Sequence, residues 1–239
     1  MVAAFQAVGT AVGTVTTSLA LVAPTLIGGD VMFAAIHSNN NTAPTITGNW
    51  TTIISATNTA AQGVYLAWRR CSDADTGATF TWTVAGTTVS FGALVTYRNV
   101  SRSGTTGLPY FTSSTSANAS ADNITYATLT PKNADALIVA FGFYGAALTT
   151  AGAFSGTNPT MTNRLDAETV SGIGASLFIH DGPSLTGAAT GSRTCASAST
   201  ADAINYGIMI DVLPVFDTPG SNTAYSPKYP SIVRTRGSR

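Results

Sequence analysis

The two histidines are the first residues to consider, because histidine is the usual general base of a hydrolase. His37 precedes Ser38-Asn39-Asn40 and His180 precedes Asp181-Gly182-Pro183, so each ends an apolar run beside a turn signal. Nucleophilic catalysis needs a nucleophile, a base and a group that orients the base. The sequence offers no such set, so we predict that both histidines lie at the rim of the fold and that no residue is catalytic.

The acidic residues also fail to form a recognisable catalytic pair. A glycosidase needs two carboxylates on either side of a cleft. Here Asp30, Asp135, Asp166, Glu168 and Asp211 lie mostly at the starts of apolar runs or in turns. The spacing gives no reason to place any two of them together.

One acidic segment, residues 73–77 (Asp-Ala-Asp-Thr-Gly), has oxygen ligands at alternate positions, as a calcium loop does. It lacks the remaining ligands of that loop, including the terminal glutamate. A tight turn whose Asp side chains cap backbone amides explains it better. No glycine-rich phosphate loop precedes a helix. We therefore predict no metal site and no cofactor.

The two cysteines, Cys71 and Cys195, are too far apart in sequence for a zinc or redox motif. Two readings stay open: two buried thiols, or one long-range disulfide that would imply an oxidising compartment.

Five aromatic residues could form a platform on which sugars stack: Trp50, Tyr65, Trp68, Trp82 and Tyr97. Trp68 and Trp82 alternate with polar neighbours around a predicted hairpin, which favours core packing instead. Trp50 follows Gly48-Asn49 at the start of a strand, and it is the one we expect to be exposed.

The composition points to β-structure. Only 9% of the 239 residues are charged, the net charge is zero, and there are 39 threonines and 22 serines against a single glutamate, Glu168. Threonine fits a pleated surface, whereas Glu and Lys build exposed helix faces. The low charge argues against nucleic-acid binding and against a polybasic membrane contact. The N-terminus lacks the basic residues of a signal peptide, so we expect synthesis in a bacterial-type cytoplasm.

Twelve short apolar runs, each bounded by turn residues, predict β-strands. In residues 80–84 the apolar and threonine side chains alternate, the period of a sheet with one buried face. The predicted strands are 14–22, 31–38, 50–57, 63–71, 79–85, 90–99, 124–128, 136–144, 161–167, 174–180, 191–198 and 203–213.

The chain also shows an internal repeat with a period of roughly 105–114 residues, the separation of the matching segments in the sequence. Residues 30–35 return as 135–140, 64–68 as 175–179, and 93–97 as 207–211. Two halves, about 15–100 and 123–213, would each leave one sheet face bare and bury it against the other. The sequence thus predicts an all-β, antiparallel β-sandwich, jelly-roll-like, in one domain over residues 1–214. Residues 101–122 between the halves read as a surface crossover.

The segment after residue 214 differs from the rest, since it contains turn residues and prolines but no strand-length apolar run. Residues 215–239 are predicted to form an extended C-terminal arm that binds a partner; a disordered tail is the alternative. Tyr225 and Tyr229 would lie roughly 13 Å apart in an extended chain and could enter separate pockets. The basic side chains that would steer the arm toward an acidic surface are Arg234, Arg236 and Arg239.

Five elements in order resemble a family of tailed-bacteriophage and prophage virion proteins. They are Gly29-Asp30 with its apolar strand, Gly48-Asn49-Trp50, residues 65–69, residues 79–83 and residues 95–100. Asn99 stands where that family commonly has glycine. The resemblance covers roughly residues 15–213 and excludes the arm.

The resemblance implies a non-enzymatic structural protein of the virion. A capsid decoration or cement protein, homo-oligomeric and bound to the major capsid protein or to tail proteins, is the first expectation. The alternative is a tail-associated or head-fibre adhesin, a carbohydrate-binding module that would bind a host glycan. A secreted bacterial sandwich is a weaker third reading.

Overall fold

The computed structural model describes residues 2–40, 42–58, 62–84, 89–101, 110–121, 123–145, 151–168, 174–184, 186–197 and 203–215. These residues form sixteen β-strands and a 3-10 turn at Asp73–Asp75, with no α-helix among them. The predicted all-β antiparallel sandwich is confirmed. The strands are Ala4–Val8 (β1), Val12–Thr14 (β2), Ser18–Val22 (β3), Val31–Ser38 (β4), Thr51–Asn58 (β5), Gln62–Arg70 (β6), Thr79–Thr83 (β7), Ser90–Arg98 (β8), Tyr110–Ala121 (β9), Asn123–Tyr126 (β10), Leu137–Tyr144 (β11), Ala151–Phe154 (β12), Thr162–Glu168 (β13), Ser176–Pro183 (β14), Arg193–Ser197 (β15) and Ala203–Val212 (β16).

Two large antiparallel sheets form the centre of the fold. The first has the order β1-β8-β4-β6-β5, with β2 also paired to β8, and the second has the order β9-β16-β11-β14-β13. If the five strands of each sheet are ranked by their order in the chain, both sheets have the order first, fifth, second, fourth, third. The first sheet comes entirely from residues before 100 and the second entirely from residues after 109.

Each large sheet carries a smaller sheet on its outer face. The pair β3-β7 covers the first sheet, and the order β10-β15-β12 covers the second. The described strands therefore form four layers, which bury three apolar clusters. The central cluster lies between the two large sheets and draws residues from both halves, among them Phe33, Val95, Phe141 and Ile210.

Strands buried on both faces explain why the apolar runs are continuous. All eight residues of β4 and all eight of β11 are buried. Alternate residues of each strand point to the central cluster and to the outer cluster. In β4, Phe33 packs in the central cluster while its neighbour Met32 packs in the outer one.

The strand prediction is wrong in four places. Residues 101–122 were expected to be a surface crossover, but residues 110–121 of that segment form β9, an edge strand paired with β16. Its Ser- and Thr-rich sequence lacks the apolar pattern of a strand. Its backbone is held in the extended conformation by hydrogen bonding to β16 instead. Strands β1 and β12 were also missed, and the predicted strand 14–22 is divided between β2 and β3.

The sequence repeat falls on corresponding strands. In two of its three matched segments, however, the paired side chains point to opposite faces of their sheets. It matches Met32 to Leu137, although Met32 lies in an outer cluster and Leu137 in the central one. It matches Val95 to Met209, which likewise face opposite ways. A shift of one residue exchanges the two faces of a strand. The repeat at the level of sequence therefore stays a prediction.

Candidate functional site

The arm residues predicted to bind a partner lie outside the described residues. They are Tyr225, Tyr229, Arg234, Arg236 and Arg239. The structure does describe the last residues before the arm, so the place where the arm leaves the body is defined.

That place is held by backbone contacts to the segment after β8. Val215 N–H donates to Asn99 O at 2.8 Å, and Ser101 N–H donates to Leu213 O at 2.8 Å. Val100 and Pro214 form an isolated antiparallel bridge. These contacts join the end of the second half to the end of the first half. These contacts therefore fix residues 213–215 at one end of the sandwich.

A cavity of about 560 Å³ opens at this end. Its lining includes Asp30, Arg70, Arg98, Ser101 and Val215. Arg98 makes a two-pronged ion pair with Asp30, with Nε to Oδ1 and Nη2 to Oδ2 both at 2.9 Å. Asp30 is 2% exposed, which makes this a well-formed pair rather than a loose surface contact.

The second cation of the cavity, Arg70, binds backbone oxygens. Its Nη1 donates to Gly29 O at 2.8 Å and to Val100 O at 3.3 Å, and its Nη2 donates to Ser101 O at 2.9 Å. The guanidinium therefore connects the loop before β4 with residues 100–101, which follow β8. These three bonds to backbone carbonyls hold the chain segments together at the wall of the cavity.

The histidines are not at the rim, and that prediction is wrong. His37 is completely buried, with its ring 6.4 Å from that of Phe143 across the two large sheets. His180 is 3% exposed and faces the outer cluster of the second half. Burial lowers the pKa of His180 to about 4, because the charged ring would lose its hydration. His180 is therefore neutral at pH 7.

The cysteines are two buried thiols that form no disulfide, and the disulfide alternative is wrong. Cys71 lies in the outer cluster of the first half and Cys195 in that of the second half, separated by the two large sheets. Burial raises the pKa of each thiol to about 12, so both stay protonated. They act as small apolar side chains.

The acidic segment 73–77 is a capped turn, as predicted. Asp75 Oδ2 accepts hydrogen bonds from Ser72 N–H at 2.8 Å and from Arg69 at 3.0 Å, and Asp73 Oδ1 accepts one from Gly28 N–H at 2.6 Å. These carboxylates accept their hydrogen bonds from backbone amides and from a guanidinium. Among the residues that the structure describes, no group of three or more His, Cys, Asp or Glu side chains could hold a metal ion.

The aromatic residues do not form an open platform. Trp50, which was expected to be exposed, is half-buried and packs edge-on against Trp82 at 5.1 Å and Phe80 at 5.4 Å. Arg69 lies over Phe80, 4.9 Å from the ring centre. Trp82 is fully buried. These rings are part of the outer cluster of the first half.

Sequence reasoning missed a polar contact between the halves. Arg164 of β13 donates to both carboxylate oxygens of Asp181 at 2.9 Å, and its guanidinium lies 4.5 Å from the ring of Phe5 in β1. Tyr97 of β8 lies within electrostatic reach of Asp181. Burial raises the pKa of Asp181, while Arg164 opposes that rise. No sequence motif signals this contact, since its members come from four strands.

Comparison with known proteins found no matching family model, no matching curated protein and no matching solved structure. Within the described part of the chain, no helix is long and apolar enough to cross a membrane.

Proposed function

We propose that the protein is a non-enzymatic structural protein of a bacteriophage virion, a capsid decoration or cement protein that binds the particle surface. The observation that carries the proposal is the anchored start of the arm. Pro214 and Val215 are held at one end of a rigid sandwich, so the 24 residues that follow start from a defined point. The resemblance to virion proteins and the low charge support the same function.

The free edge of β9 supports assembly with neighbouring subunits or other virion proteins. This strand of 12 residues pairs only with β16 among the described strands, and its sequence contains no charged residue and no proline. Soluble proteins usually protect such an edge with charges, prolines or a covering segment. An edge strand without charges or prolines is suited to receive an extended strand from a neighbour.

The adhesin alternative has weaker support. The large apolar side chains exposed among the described residues are Val2, Val15, Val22 and Ile27, all aliphatic. Sugar stacking needs exposed aromatic faces, and the tryptophans are packed into the body. We therefore keep glycan binding as an outcome of the test rather than as a second proposal.

Copy number in purified particles tests the proposal. A decoration protein is expected at a copy number comparable with that of the major capsid protein, measured by quantitative mass spectrometry of virions. A copy number matching the tail tip or a fibre would instead support the adhesin. Absence from washed particles would contradict both.

Truncation after Val215 is expected to abolish particle binding and leave the melting temperature unchanged. The last strand ends at Val212, so the body keeps its hydrogen bonds, while the prolines and tyrosines of the arm are lost. Binding to stripped particles would be measured by co-sedimentation at several salt concentrations.

A second variant separates the parts of the arm. Changing Arg234, Arg236 and Arg239 to glutamine is expected to weaken binding at low salt and to have little effect at high salt, because salt screens steering charges. Undiminished binding by the truncated protein would show that docking uses the sandwich itself.

A further inference from the structure

The outer cluster of the second half contains a polar group centred on one ring. Around Phe154 lie the ring of Tyr126 at 4.9 Å, the ring of His180 at 5.1 Å and the guanidinium of Arg193 at 4.8 Å. The three come from different strands of two sheets. Each is at most 3% exposed, so water does not reach them from outside.

Arg193 is a buried cation without a carboxylate partner among the described residues. Its Nε donates to Ser155 O at 2.8 Å and its Nη2 to Gly156 O at 2.9 Å, and both acceptors are neutral. Its Nη1 is buried with no hydrogen-bond partner. A buried charge is strongly unfavourable unless an opposite charge compensates it. This contrasts with Arg98 and Arg164, each of which meets an aspartate.

The other two side chains also have a buried polar atom with no hydrogen-bond partner in the described part of the chain: Tyr126 Oη and His180 Nδ1. A guanidinium N–H and a phenol O–H can donate, and a neutral imidazole donates from whichever nitrogen carries the proton. When the proton of His180 is on Nδ1, all three atoms are donors, and no acceptor for them lies among the described residues. Because His180 is neutral at pH 7, Arg193 is the member of this group that carries a charge.

The backbone places these groups against one patch of the second large sheet. Tyr126 and Arg193 are opposite each other in the β10–β15 pair. His180 is paired with Ala140, and the Tyr126 hydroxyl lies over Gly142, two residues further along β11. A side chain at Gly142 would collide with that hydroxyl, so glycine permits the close approach. Residues two apart on a strand share one face, which puts Tyr126 and His180 side by side.

We propose that Arg193, Tyr126 and His180 bind one small monovalent anion, of the chloride class, between the second large sheet and its outer sheet. Two features select the ligand: one uncompensated positive charge favours a single negative charge, and the enclosure favours a small ion. The ion would act as a structural counter-ion of the second half. This inference is independent of the proposed function.

Anomalous diffraction from crystals of the full chain grown or soaked in bromide tests the site directly. A bromide peak within hydrogen-bonding distance of Arg193 Nη1 and near Tyr126 Oη is expected. Density for water alone at that position, with no anomalous signal, would overturn the proposal.

Melting in solution provides the second test. At neutral pH and constant ionic strength, replacing gluconate by chloride is expected to raise the melting temperature by roughly 3–5 °C for each tenfold increase above the dissociation constant. Tyr126→Phe removes only one donor, so it should weaken the chloride dependence and keep the fold. Tyr206→Phe, on a half-buried tyrosine at the central cluster of the same sheet, is the matched control and should behave as wild type.

Arg193→Met should remove the chloride dependence altogether. If that variant does not fold, the bromide experiment on the wild-type protein and the chloride titration of Tyr126→Phe still test whether the anion site exists. Equal chloride dependence in wild type and Tyr126→Phe, together with an absent bromide peak, would refute the site.

Discussion

Replacing Phe141 by alanine is expected to lower the free energy of unfolding by about 3–5 kcal/mol, the usual cost of truncating a buried phenylalanine. The ring of Phe141 is fully buried and lies 5.9 Å from the ring of Phe33. The two phenylalanines belong to opposite halves and meet at the centre of the shared cluster. Loss of either ring should therefore destabilise both halves.

The tryptophans make this test specific. All three, Trp50, Trp68 and Trp82, are in the first half, so their fluorescence reports that half, whereas circular dichroism reports all strands. In a denaturant titration of Phe141→Ala, both signals should shift together by the same amount. Phe80→Ala, which removes a half-buried ring from an outer cluster, is the control and should cost less.

Two outcomes would contradict a single cooperative unit. One is a Phe141→Ala variant whose tryptophan transition stays at the wild-type position. The other is independent, sharp melting of the separately expressed fragments 1–115 and 116–239. We expect these fragments to aggregate, because each would expose the apolar face that the other covers.

Replacing Arg164 by methionine is expected to cost about 3 kcal/mol at neutral pH, because it leaves the Asp181 carboxylate buried without its cation. Asp181 is 2% exposed, and each of its two carboxylate oxygens accepts a hydrogen bond from Arg164 Nε at 2.9 Å. Methionine keeps an apolar chain against Phe5, so the loss should come mainly from the charge. Urea unfolding at several pH values measures it.

The pH dependence of this loss has a definite sign. Burial already raises the pKa of Asp181, and removal of Arg164 raises it further. A carboxyl with a raised folded-state pKa favours the folded protein when protonated, so its contribution is present at low pH and is lost as the pH rises through the folded pKa. The difference between Arg164→Met and wild type should therefore shrink on acidification toward the ordinary carboxyl pKa.

Adding Asp181→Asn to Arg164→Met is the control for that interpretation. The double variant lacks both charges of this pair, so it should recover part of the stability at neutral pH and lose the pH dependence of the difference. A loss in Arg164→Met that stays constant with pH would show that packing, rather than charge, explains the effect.

The strands that could be predicted are those buried on both faces. The predicted strand 31–38 coincides with β4, and 136–144 differs from β11 by one residue. A strand between two apolar layers needs apolar residues at every position, so its signal is continuous. Edge strand β9 carries Ser, Thr and Ala instead, and only its pairing with β16 identifies it as a strand.

The candidate sites depended on contacts that sequence order does not contain. His37 and His180 stand next to turn signals, which predicted a rim position, yet neighbouring sheets cover both rings. The capped turn at Asp73–Asp75 was predictable because its partners Arg69 and Ser72 are close in sequence. The group around Phe154 was not, because Tyr126 and Arg193 are brought together only by strand pairing.

The sequence by itself determined the class of the fold. A chain rich in Thr and Val, with short apolar runs and a single glutamate, cannot build amphipathic helices and must bury sheet faces. Only the tertiary structure decided which faces meet, because that choice depends on strand register, where one residue exchanges the two sides. It therefore also decided which charges are paired, as in Arg164 with Asp181, and which cation, Arg193, is left without an opposite charge among the described residues.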